Sequence, residues 1–181
     1  MSILTYVLIA VALLVAAFLI AVAMQSADFR ITRSTTVSAS PATVFALVND
    51  FHEWENWSPW AKLDPNATAE FSGPSAGEGA HFHWSGNKEV GEGAMTIVES
   101  RRPELIEIRL EFLKPFKATN TAEFTFQPQG GQTSVTWSMF GKNNFMGKAF
   151  GMLVNCDKMI GAQFEKGLAA MKDIAEGRGT T

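Results

Sequence analysis

Hydrophobic and polar residues follow three regimes along this chain. From Ile3 to Met24 there is no alternation: no charged residue occurs, and only Thr5 and Tyr6 carry polar atoms. About 22 residues at 1.5 Å each make roughly 33 Å of helix, the thickness of a hydrocarbon core. A soluble helix shows a polar face and this one shows none. Residues 1–26 are therefore expected to be a transmembrane segment. A cleaved signal peptide is the alternative, because Ala21-Val22-Ala23 has the small-x-small form of a cleavage site. Against cleavage, no Lys or Arg precedes the run, which exceeds the usual apolar core of about 7–15 residues.

The second regime has period two. Phe29, Ile31, Arg33, Thr35 and Val37 alternate in a first strand. Ser40-Pro41 then opens a helix, Ser40 as N-cap and Pro41 at the first helical position, with Val44, Phe45, Leu47 and Val48 on one stripe. Asp50 caps a short second helix over 51–57, which Ser58-Pro59 ends. Six further strands follow, over 67–72, 80–85, 93–101, 105–113, 119–127 and 133–140. In the fourth of these, Ile106, Ile108, Leu110 and Phe112 oppose Glu107, Arg109 and Glu111. Gln129-Gly130-Gly131 is a hairpin turn. One-sided alternation on consecutive strands predicts an antiparallel sheet with one covered face.

The third regime covers it. Residues 145–176 contain no proline and read as one long helix, with four interspersed glycines that imply close approach to the sheet or a bend. The expected organisation is α+β: residues 1–26 as the membrane helix, one domain over 27–177, and a frayed tail at 178–181.

Composition narrows the chemistry. The net charge is −3 and no Lys/Arg cluster appears, which argues against nucleic acid as a partner. The single cysteine, Cys156, excludes an internal disulfide and cysteine-rich metal sites. No phosphate loop, nucleotide fingerprint or hydrolase elbow is present, so no cofactor is implied. His81 and His83 form an H-x-H pair on the face opposite Phe82 and Trp84. With no Cys, Asp or Glu at matching spacing, no metal site is read there. Arg30 and Arg33 follow the apolar run and nothing basic precedes it, which leans the domain to the cytoplasmic side of a single-pass protein.

The stretch Asp50–Asp64 holds three of the five tryptophans, in the pattern Phe51-x-x-Trp54-x-x-Trp57-Ser58-Pro59-Trp60. With Glu92-Gly93-x-Met95-Thr96-Ile97 and the Trp84-Ser85-Gly86-Asn87 turn, it resembles the SRPBCC proteins often named polyketide cyclase/dehydrase. The element order resembles the helix-grip fold of their START/Bet v 1-like superfamily, over about Phe29 to Ala175. The resemblance implies a curved sheet of about seven strands wrapped on a long C-terminal helix, with a cavity between them. Expected lining residues are Phe82, Trp84, Met95, Ile97, Ile108, Leu110, Phe124, Trp137 and Met139 from the sheet. Met152, Cys156, Met159 and Ile160 would be added from the helix. Trp54 and its neighbours are expected at the rim, as a plug and a gate.

Three functions compete. The first is a membrane-anchored domain holding a hydrophobic small molecule or lipid in that cavity. A polyketide cyclase/dehydrase-like enzyme is the second. It needs an ionisable group inside, for which Glu99 (on the face of Met95 and Ile97) and His52 are the candidates, with Asn120 and Gln163 as polar contacts. The third is a ligand-free interaction or stress-response module that docks through its tryptophans.

Overall fold

A computed structural model describes residues 2–178; residues 179–181 of the expected frayed tail lie outside the described residues. Helix α1 (Ile3–Met24) leads directly into β1 (Asp28–Val37). Next come α2 (Pro41–Asn49), a 3-10 turn (Phe51–Glu53) and α3 (Trp54–Trp57). Strands β2 (Thr68–Ser72), β3 (His81–Ser85), β4 (Glu92–Arg101), β5 (Leu105–Lys114), β6 (Ala118–Gln129) and β7 (Gln132–Lys142) follow. Helices α4 (Phe145–Leu153) and α5 (Cys156–Ala175) complete the chain.

The local signals act as their chemistry requires. The Ser40 side chain accepts from the Thr43 amide, and the Asp50 carboxylate accepts from the His52 amide at 2.9 Å. Gly130 and Gly131 both take positive φ in the two-residue turn between Gln129 and Gln132, a conformation that other residues adopt at a cost.

All seven strands form one antiparallel sheet in the order β1-β7-β6-β5-β4-β3-β2, so the first and last strands meet at one edge and the meander runs to the other. Helices α2, α3 and α5 cover the inner face, α5 packing chiefly on β1, α2 and α3. The fold is the helix grip. The core includes Val37, Val44, Phe45, Phe126, Val135 and Met171, and no residue of α1.

The long C-terminal helix is in fact two. Val154 and Asn155 separate them, and the Asn155 side chain accepts from the Lys158 amide as N-cap of α5. The consequence is a change of neighbours: α5 covers the sheet, whereas α4 has no buried residue and packs against α1. Within α5, Gly167 allows close approach to the sheet, since a Cβ there would lie 2.9 Å from the Trp137 ring and 3.0 Å from Pro59.

Candidate functional site

The register decides which side chains face the helices. Phe82 pairs with Met95, Met95 with Leu110, Ile97 with Ile108, Phe124 with Trp137, and Ala122 with both Ile108 and Met139. All of the sheet residues expected inward, including Trp84, therefore share the face that α2, α3 and α5 cover.

What occupies the middle of that face is the aromatic segment itself. Phe51, Trp54 and Trp57 are buried, which moves them from the expected rim to the core. Trp57 meets Phe124 and Trp137 edge-on at 6.1 and 5.6 Å between ring centres, and Trp54 lies 4.5 Å from Trp57. Trp137 stacks on Phe164 of α5 at 4.1 Å, with the rings 8° from parallel. The Trp54 and Trp57 indoles donate to the carbonyls of Val48 and Leu47 at 3.0 and 2.9 Å, which fastens α3 to α2. Trp54 is thus a core residue. The expected sheet–helix space is filled with rings at this level.

The sheet is less covered at the end where α1 joins it. Asp28 pairs with Lys142, Asn120 with Gly141, Phe112 with Ala118 and Glu92 with Lys114, so all these residues lie at that end. On the inner face there, Trp84, Leu110, Phe112 and Asn120 are half-buried, while Met139 and Ala122 form a closed floor. Two glycines make the room. A Cβ on Gly93 would overlap the Trp84 ring, and one on Gly141 would lie 2.5 Å from the Asn120 Oδ1. Phe112, Gly93 and Gly141 were not among the expected site residues. Their signal is the parity of strands whose ends extend past the helix layer.

Several expected positions fall elsewhere. Met152 and Met159 are 40% and 50% exposed, and Cys156 is half-buried at the start of α5. Met152, on α4, and Met159 lie outside the covered face, whereas Cys156 opens the stripe of Ile160, Phe164 and Leu168 by which α5 faces the sheet. Glu99 does not share the face of Met95 and Ile97. A β-bulge between Ile97 and Glu99 shifts the register by one residue, and a one-residue slip sends a side chain to the other face. Glu99 pairs with Glu107 and holds Arg101 at 2.7 Å, while Ser100 turns inward to the Asn49 amide oxygen. His52 bonds Asp50 at 2.7 Å and stacks on Phe71 at 4.1 Å. It borders a small cleft of ≈ 240 Å³ with Phe51, Phe71, Pro74 and His81, at the end of the sheet away from α1. A second, shallow groove of ≈ 460 Å³ follows β1 and β7 beside Arg30 and Phe140. Neither cleft opens beneath α5. His81 bonds Thr96 at 3.0 Å, and among the described residues no three metal-type side chains converge.

The sequence family model for polyketide cyclase / dehydrase and lipid transport matches residues 28–176. The chain belongs to this family. Solved structures agree on the fold. A Staphylococcus aureus protein of unknown function superposes with TM-score 0.64 at 10% identity, over 84% of this chain and 96% of that one. Ara h 8.0201 gives TM-score 0.57 at 12% identity, over 83% and 99%. The di-domain ARO/CYC BexL gives 0.60 at 16% identity, over 86% of this chain and 52% of the other. No curated protein matches in sequence. As a member of the polyketide cyclase / dehydrase and lipid transport family, this chain carries neither of its two candidate acid–base residues, Glu99 and His52, under α5.

The charged groups that this family member does have hold its covering helix in place. Arg33 rises from the inner face at the β1 edge, where Gly161 of α5 leaves it space. Its Nε donates to Glu165 at 2.8 Å and its Nη2 donates to the Asp157 carboxylate and carbonyl, both at 3.0 Å. These hydrogen bonds hold Asp157 below its ordinary 3.8. At the other end of α5, the Ser38 amide donates to Glu176 at 2.6 Å and lowers its carboxyl below 4.5. On the outer face Lys114, and behind it His83, lower Glu92. A carboxyl whose folded value lies below its unfolded one stabilises the fold above the unfolded value and stops doing so as pH falls through the folded one. The melting temperature is thus expected to be level from neutrality to about pH 5 and to fall below that. Arg33→Gln should lower it at neutral pH and make the acid slope shallower. Parallel pH profiles for the two proteins would show that the Arg33 cluster does not contribute.

Proposed function

We propose that this protein is a membrane-anchored carrier or receptor domain that takes a lipophilic small molecule or lipid into the half-open end of its inner face. The observation that carries the reading is the character of that end. Trp84, Leu110, Phe112 and Met139 offer apolar wall, Asn120 offers amide polarity, and the site lies at the same sheet end as α1. An apolar site with few fixed polar groups suits a mostly hydrocarbon molecule with one polar end. The family description, which names lipid transport beside cyclase and dehydrase, supports the same class of ligand. Anchoring is supported by the length and hydropathy of α1: 22 residues at mean hydropathy 3.1 over its most apolar window, with 6% of that window buried.

The core contains no residue of α1, so the chain from Ala27 onward can be studied alone. Purified in this form, it is expected to carry one lipophile per chain in native mass spectra. After delipidation it should bind N-phenyl-1-naphthylamine saturably. Leu110→Trp, which adds bulk to the half-open end, should abolish both and leave cooperative melting intact. A wild-type domain that is empty as isolated and binds no probe would sink the proposal.

A further inference from the structure

Given α1 in the bilayer, we infer that the α1 end of the domain is itself seated on the lipid surface, with α4 and the β5–β6 turn entering the headgroup layer of an anionic membrane. Three independent observations converge on this end.

The first is apolar exposure. Met146, Phe150 and Leu153 follow one another at i, i+4 and i+7 on α4, so they share a stripe. They are the most exposed large side chains of that helix, Leu153 at 75%. Phe116, at the tip of the β5–β6 turn, is 76% exposed. A water-facing helix keeps charged residues on its outer side. The only charged residue of α4, Lys148, is instead turned inward.

The second is attachment. Lys148 Nζ donates to the carbonyls of Ala23 and Gln25, at 3.0 and 2.9 Å, at the C-terminal end of α1 where carbonyls have no intrahelical donor. Residues 23–25 are where a helix of about 33 Å leaves the hydrocarbon, so this clamp places α4 at the depth of the interface. The exposed stripe is therefore continuous with the lipid-facing surface of α1, which is what commits it to a lipid occupant.

The third is charge. Six of the nine lysines belong to this end: Lys142 and Lys148 beside α4, Lys114 and Lys117 flanking Phe116, and Lys62 and Lys88 on neighbouring loops. Five acids share the end, Asp28, Asp64, Glu89, Glu92 and Glu111, and three of them are occupied: Glu92 by Lys114 and His83, Glu111 by Arg109, and Asp64 by the amides of Asn66 and Asn87. Basic residues around an apolar stripe match an anionic lipid surface. Seated this way, the half-open end of the inner face opens towards the bilayer rather than water.

Full-length protein in vesicles of equal parts phosphatidylcholine and phosphatidylglycerol tests this. In a Cys156→Ala background, I9C, F116C, F150C and Q129C are each labelled with an environment-sensitive fluorophore and challenged with lipids spin-labelled in the acyl chain. All four labelled sites are exposed, so the labels leave the core untouched. Labels at 116 and 150 are expected to shift to the blue and lose most of their emission to the quencher, as the label at 9 does, while the label at 129 is unaffected. Substituting pure phosphatidylcholine should weaken quenching at 116 and 150 and leave 9 unchanged. Quenching at 9 with 116 and 150 behaving like 129 overturns the seated domain and leaves the anchor standing. Loss of quenching at 9 overturns the anchor and this inference with it. Equal quenching in both lipids overturns the part assigned to the lysines.

Discussion

Trp57→Ala is expected to lower the unfolding free energy of the domain by about 3–5 kcal/mol, the range for removing a large aromatic from a packed core. Trp57 is fully enclosed, edge-on to both Phe124 and Trp137, and its indole N–H satisfies the carbonyl of Leu47. Alanine removes the ring contacts that join α3 to the sheet and also the indole hydrogen bond to the half-buried Leu47 carbonyl. A domain of this size has about 5–15 kcal/mol in total, so the variant should unfold near physiological temperature. Urea titration followed by circular dichroism gives the number directly. Leu153→Ala, on the exposed stripe of α4, is the matched control and should shift the midpoint little. If Trp57→Ala also shifts it by less than about 1 kcal/mol, then the ring is not part of the core.

The second large effect concerns α1. Replacing Leu13 and Ala16 by lysine places two ammonium groups at the middle of the helix, each costing about 2.5–3.5 kcal/mol of insertion. Wild-type protein is expected to resist carbonate extraction from membranes, and the double variant to appear in the supernatant. Intact mass separates this from secretion: a chain beginning at Met24 would identify cleavage after Ala21-Val22-Ala23 and contradict the anchor. Val22 is buried and the Ala23 carbonyl binds Lys148, so cleavage there would also remove one of the two carbonyls that hold α4.

Much of the architecture is legible in the residues because the signals are local. Ser40, Asp50 and the Gly130-Gly131 pair each determine a cap or a turn through their own side chain or its absence. The β5 alternation specifies its faces without reference to any partner. The misplaced features depend on non-local geometry. The bulge at Val98 has no glycine or proline to announce it, yet it reverses Glu99 and removes the best candidate for an internal acid. Asn155 followed by Asp157 is a readable helix start, but the apolar residues on both sides conceal the break. As for the tryptophans, their area shows that they must be buried and says nothing of where. Only the packing of α3 against α5 and against the Phe124 and Trp137 rings places them on the inner face.

The two-residue gap at Val154–Asn155 divides responsibilities between the helices on either side of it. α5 belongs to the sheet through Arg33 and Glu176, and α4 belongs to α1 through Lys148. The domain is thereby joined to its helical stalk at two separate places, the short peptide between Met24 and Asp28 and the clamp at Lys148. A single joint lets a body swivel, whereas two joints set apart give it a heading. With α1 in a bilayer, as proposed, every copy of the protein would present the same flank to its neighbours in the plane of the sheet of lipid, like a vane fixed to its post.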